Sequence, residues 1–163
     1  MRIAGILTAL ALLTGATAAA APGDLPPGGA SVGDVISALA VAGYVAPPAR
    51  QDSDDFATLD ITVGKTPVQV YLYACSGHGD GKRCGELQLH AGFAYRAIPA
   101  LSIINQWNAD KRFGRAYNDA KGSHLETDMD VSSGFTQVQL AKMLQRFGTL
   151  ITEFRRRTGF EVI

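Results

Sequence analysis

Three stretches of this chain carry apolar residues at helical spacing, and the runs of strict alternation between them read as strands. In the first helical stretch Val32, Val35, Ile36 and Leu39 share a face behind Ser31, a natural N-cap with Asp34 three residues on, and Gly43 is a natural stop. Three alternating runs follow. Leu59, Ile61 and Val63 interleave with Thr58, Asp60 and Thr62; after a turn at Gly64 to Pro67, Val68, Val70 and Leu72 interleave with Gln69, Tyr71 and Tyr73; Leu87, Leu89 and Ala91 interleave with Glu86, Gln88 and His90.

In the second helical stretch Leu101, Ile104 and Trp107 recur, and beyond a break at Asn108 to Asp110, Phe113, Arg115 and Tyr117 alternate. The only tryptophan thus sits at a joint between helix and strand. Trp107 and Phe113 are expected to anchor one core there, with the indole N–H reaching a backbone carbonyl. A polar turn at Asn118 to Gly122 leads to a last strand, where Leu125, Thr127, Met129 and Val131 alternate with an acidic stripe of His124, Glu126, Asp128 and Asp130. The final helix opens with a capping box, Thr136 and Gln139, and a hydrophobic staple, Phe135 and Leu140. Val138, Ala141, Leu144, Phe147, Ile151 and Phe154 continue its apolar face, Arg155 to Arg157 complement its dipole, and Gly159 ends it. Those arginines could instead meet anionic lipid or phosphate, but the helix end explains them at lower cost.

The predicted order is α-β-β-β-α-β-β-α, and short turns between consecutive strands make them antiparallel. The expected fold is α+β: a two-layer domain with helices on one face of the sheet. If they cover the Leu59, Val70 and Leu87 side, the opposite side presents Asp60, Tyr71, Tyr73, Gln88 and His90. Tyrosine is enriched in protein interfaces, so Tyr71, Tyr73 and His90 are the candidate docking surface for another protein or a second copy of the chain.

Composition places this domain outside the cytoplasm. Met1 to Ala20 has the form of a secretory signal, with Arg2 at the start, an apolar run from Ile3 to Leu13 and Ala18-x-Ala20 at its end. The run is short for a membrane span. Residues 21–30, rich in Pro and Gly, read as a flexible lead-in, and residues 31–159 as one domain. Periplasmic or secreted location follows. Loss of a signal carrying Arg2 leaves 14 basic against 15 acidic residues, which disfavours nucleic acid as a partner.

Candidate chemistry is sparse. Cys75 and Cys84, the only cysteines, close the loop between two strands, and in an exported chain they read as a disulfide. The competing reading uses Cys75, His78, Cys84 and His90 as zinc ligands, though their spacing is irregular. Asp52, Asp54 and Asp55 lack the glycine and distal glutamate of a calcium loop. The glycines between the cysteines do not match a phosphate loop, since Ser76 and Arg83 stand where its glycine and hydroxyl belong. No serine or cysteine nucleophile sits in a readable catalytic motif, and neither a metal nor another cofactor is expected.

The strings WNADKRFGRAYNDAKG and LETDMDVSSGFTQVQL, in this order and spacing, resemble the YbjN family, described as bacterial sensory transduction regulators. The resemblance runs from about Val32 to Phe154. It implies a fold like that of type III secretion chaperones and a binding or regulatory role, with no established enzymatic activity and no family-wide site residues to transfer. An export signal sets this chain apart from cytosolic members. The first expectation is therefore a non-enzymatic envelope module that recognises a protein or peptide. A metal-binding carrier using Cys75 to His90 and an unrecognised hydrolase are the alternatives.

Overall fold

The computed structural model describes residues 21–46, 48, 50–51, 57–94 and 98–160; the signal-like segment and the acidic run from Asp52 to Asp55 lie outside them. Helix α1 (Val32–Val41) is followed by β1 (Arg50–Gln51), β2 (Ala57–Val63), β3 (Thr66–Ser76), β4 (Arg83–Phe93), α2 (Leu101–Asp110), β5 (Arg115–Asp119), β6 (Gly122–Asp130) and α3 (Gln137–Thr158). The strands form one antiparallel sheet in the order β1-β2-β3-β4-β6-β5. This is the expected α+β order, with β1 as a two-residue addition at one edge.

The alternation sorts side chains as a pleated sheet must. Leu59, Ile61, Val70, Leu72, Leu87, Leu89, Leu125 and Met129 are buried on one face, with Val35 and Leu39 of α1, Ile104 and Trp107 of α2, and Leu144, Phe147, Ile151 and Phe154 of α3 in the same core. The expected capping box of Thr136 with Gln139 is present, the expected N-cap Ser31 forms one too with Asp34, and Gly159 ends α3 in a left-handed conformation. Leu101 and Val138, expected on apolar faces, are exposed.

The motif after α2 is a clasp. Trp107 is fully buried, edge-on to Phe154 at 5.0 Å, and its Nε1–H donates to the Gly114 carbonyl at 2.8 Å. The Asn108 carboxamide binds both backbone groups of Ala116. Lys111 pairs with Glu153 and Asp110 with Arg157, both at 2.7 Å, tying the joint to α3.

Phe113 does not join Trp107 in the core. It is 55% exposed, with the Arg146 guanidinium 4.1 Å from its ring centroid. The inward position belongs to Gly114, where an added Cβ would lie 3.0 Å from Leu150 Cδ1 and 3.2 Å from Leu125 Cδ1. The strand accordingly starts at Arg115, two residues later than the alternation suggests.

The proline- and glycine-rich lead-in is tied down rather than loose. Leu25 exchanges both backbone hydrogen bonds with Phe135, at 2.7 and 2.9 Å, and Ala30 exchanges both with Cys84 at 2.9 Å. Leu25 and Ala30 are buried, and Asp24 Oδ1 accepts from the Gln137 backbone N–H. Between them Gly29 lies against Cys84 with φ +90, and a Cβ there would sit 2.8 Å from the Cys84 carbonyl oxygen. Composition suggested flexibility because proline and glycine lack side-chain anchors, yet here the backbone itself makes the contacts.

Cys84 is also one end of the disulfide. Cys75 and Cys84 stand opposite one another in the β3–β4 register and their sulfurs are bonded at 2.07 Å. The ladder skips Ala74 and Gly85 just before this pair, where Ala74 turns to φ 52.

Candidate functional site

The sheet face away from the helices carries a row of rings across four strands. On β3, Tyr73 and Tyr71 have centroids 5.8 Å apart; Tyr71 is 5.7 Å from His90 on β4; His90 stacks on His124 of β6 at 5.2 Å; and His124 stacks on Tyr117 of β5 at 4.7 Å. The expected trio of Tyr71, Tyr73 and His90 is thus together, and it is three of the five rings in a longer row. All five side chains are half-buried.

The register explains the meeting of the histidines. His124 is directly opposite Gly92, not His90. With no side chain at Gly92, the His124 ring can lean along β4: an added Cβ would lie 3.7 Å from His124 Nδ1 and 3.8 Å from His90 Cε1, filling the space beside both rings. His90 Nε2 and His124 Nδ1 are then 3.0 Å apart.

Hydrogen bonds run along the row. Tyr71 Oη donates to Gln69 Oε1 at 2.7 Å, and the same oxygen is 3.0 Å from His90 Nδ1. With that oxygen turned toward it, His90 carries its proton on Nδ1, and its Nε2 accepts from His124 Nδ1–H. Burial, followed by the neighbouring His124, lowers the His90 pKa; Glu126 and Asp119 oppose the shift without cancelling it. A neutral His90 is what the bridge requires. At the far side His124 Nε2 is 2.9 Å from Asp119 Oδ1. That nitrogen is buried, and its approach to the carboxylate is too poorly aligned to meet hydrogen-bond geometry. The His124 ring, followed by the Lys121 backbone N–H, holds the Asp119 carboxyl below its ordinary range.

Glu126, 5% exposed, anchors the β5 side of the face. It accepts from Tyr117 Oη at 2.9 Å and is paired with Arg115. Burial and then this hydrogen bond push the Tyr117 hydroxyl up to about 12. Tyr73 is raised as well, by burial first and then by Glu126 and Asp128.

His124, Tyr117, Gln69 and Glu126 were not in the expected docking surface. Alternation already put His124 and Glu126 on the outward side, but their neighbours depend on β6 lying beside β4, and α2 and β5 intervene in sequence. The zinc reading loses its two thiolates to the disulfide. Around His90 and His124 the polar atoms form a chain and do not converge on one point, and among the described residues no group of three or more histidine, cysteine or carboxylate side chains is placed to hold a metal.

A six-stranded antiparallel sheet, with its helices on one face and an ordered polar row on the other, defines an α+β domain in which, among the described residues, no helix covers the second sheet face. The chain belongs to the YbjN family: the family model, described as "Putative bacterial sensory transduction regulator", matches residues 31–160. No curated protein and no solved structure matches it. Among the described residues no helix is long and apolar enough to cross a membrane.

Proposed function

We propose that this protein is a non-enzymatic regulatory module of the cell envelope whose aromatic sheet face docks a basic segment of another protein. The aromatic row is the observation that carries this reading. Five rings in mutual contact, four of them also held by hydrogen bonds, offer a surface with little side-chain freedom left to lose on binding. Family membership supports a regulatory or binding role in the coarse sense. The disulfide fits an oxidising compartment.

Charge selects the kind of partner. The outward positions carry Asp60, Glu86, Asp119, Glu126, Asp128 and Asp130 against Arg50 and Arg115, and Glu86 stands directly opposite Asp130. Like charges opposite one another across a sheet are unfavourable, and a basic partner relieves them. A second copy presenting the same face meets like charge instead, so homodimerisation through this face is disfavoured.

The test is Tyr71→Ser with Tyr73→Ser, folding being checked by circular dichroism. Arginine- and lysine-rich peptides should bind the wild type in a salt-sensitive manner, and the double variant should lose about tenfold or more in affinity. Equal binding by both proteins, preference for acidic peptides, or self-association of the wild type abolished by the double variant would overturn the reading.

A further inference from the structure

A cleft lies between the β2–β3 turn and α3, away from the aromatic sheet face. It encloses about 340 Å³, with Lys65 on the turn, Gln145 and Arg155 on the helix, and Val63 and Ile151 beneath. Gln145, Gly148, Thr152 and Arg155 follow one another at three- and four-residue steps, so a single stripe of α3 faces the turn. Gly148 sits where the helix comes closest: a Cβ there would be 3.2 Å from Val63 Cγ1. A glycine in mid-helix weakens α3, and the close approach that shapes the cleft is a physical reason for it.

The cleft has donors and no acid. Among the described residues no carboxylate lines it, although Lys65 and Arg155 both do. The final-turn arginines divide here. Arg157 is committed to Asp110, whereas the Arg155 guanidinium lies 5.7 Å from the Phe160 ring centroid and its Nε is buried with no hydrogen-bond partner. A buried N–H without an acceptor is costly, and an arginine over an aromatic ring with free N–H donors is well placed to take an oxyanion. The Thr149 and Thr152 hydroxyls already donate to the Gln145 and Gly148 carbonyls, so the remaining side-chain donors are Lys65, Thr66, Gln145 and Arg155. The volume is far more than one water needs, and Val63 and Ile151 supply apolar surface within it.

We infer that this cleft is a binding site for a small organic oxyanion, a carboxylate or phosphate ester with a short apolar body. Its head meets Arg155 and Lys65, and its body lies on Val63 and Ile151. The site shares no residue with the docking face, so each stands or falls separately.

The experiment is a titration of the full protein, observed by amide and arginine Nε–H resonances, with butyrate, monobutyl phosphate, inorganic phosphate and neutral butyramide. Saturable shifts with butyrate or monobutyl phosphate, centred on Lys65, Thr66, Thr152 and the Arg155 Nε–H, are expected, with butyramide and inorganic phosphate weaker by at least fivefold. A preference between the two organic anions identifies the head group. Arg155→Gln and, on the exposed turn, Lys65→Gln should each weaken binding about tenfold, while Tyr71→Ser with Tyr73→Ser leaves it unchanged. Equal shifts with butyramide, no saturation by either organic anion, or full binding by folded Lys65→Gln would overturn the inference.

Discussion

The Asn108 carboxamide closes a sheet edge: its Nδ2–H donates to the Ala116 carbonyl and its Oδ1 accepts from the Ala116 N–H, each at 2.9 Å. Strand β5 is the last in the sheet, and an unpaired edge is a template for pairing with another chain. One side chain thus stands in for a neighbouring strand. Asn108→Ala should cost about 1 to 2 kcal/mol, as loss of two such bonds implies, and should speed hydrogen exchange at the Ala116 amide. Asn108→Asp should keep that amide protected and lose only the carbonyl contact. Unchanged exchange in the alanine variant would sink the account.

Trp107 has both a packing and a polar role, and substitutions separate them. Trp107→Ala should cost about 3 to 5 kcal/mol. Trp107→Phe keeps much of the contact with Phe154 but leaves the Gly114 carbonyl without its donor, so it should cost less, about 1 to 3 kcal/mol. Denaturant unfolding measures both. Phe113→Ala, at an exposed position, should cost under about 1 kcal/mol.

The His90 bridge predicts an acid-sensitive face. Gln69 and Tyr71 face His90 from β3, His124 and Glu126 from β6 and Asp119 from β5. Because the folded pKa lies below the ordinary 6.5, the unfolded chain binds more protons in that interval and stability falls as pH drops from about 6.5 toward the folded value. Above 6.5 this contribution is fully present. Protonation also puts a hydrogen on each of the two bridging nitrogens, which forces the rings apart. His90→Asn should flatten stability between pH 5 and 7 relative to wild type, measured by urea unfolding at each pH. An equally steep profile in the variant would count against it.

Reduction of Cys75–Cys84 removes a clamp on two hairpin strands and loosens the lead-in, because Cys84 holds Ala30 through its backbone. Cys75→Ser with Cys84→Ser should lower stability by about 2 to 3 kcal/mol, the loop-closure value for so short a loop. Exchange at the Ala30 amide should rise with it. Protection of Ala30 unchanged in the double variant would separate the lead-in from the disulfide.

What the chain determined by itself was local: which side chains point inward, where helices are capped, and which cysteines face one another across a hairpin. These follow from periods of 2 and 3.6 and from turns of a few residues, all contained within a short window. The indole at the joint was legible for the same reason, since its acceptor at Gly114 is only seven residues away. Phe113 was misjudged because alternation cannot tell a strand from the residue before it; the crowding of Leu125 and Leu150 around Gly114 decides that. Only the tertiary structure brought β6 beside β4, with His124 leaning into the space left by Gly92. Likewise it set Arg155 across from the β2–β3 turn and bound residues 21–30 to Cys84 and Phe135. Those contacts join residues that are distant in sequence, and their free energy depends on how whole elements pack, which no short window of side-chain pattern encodes.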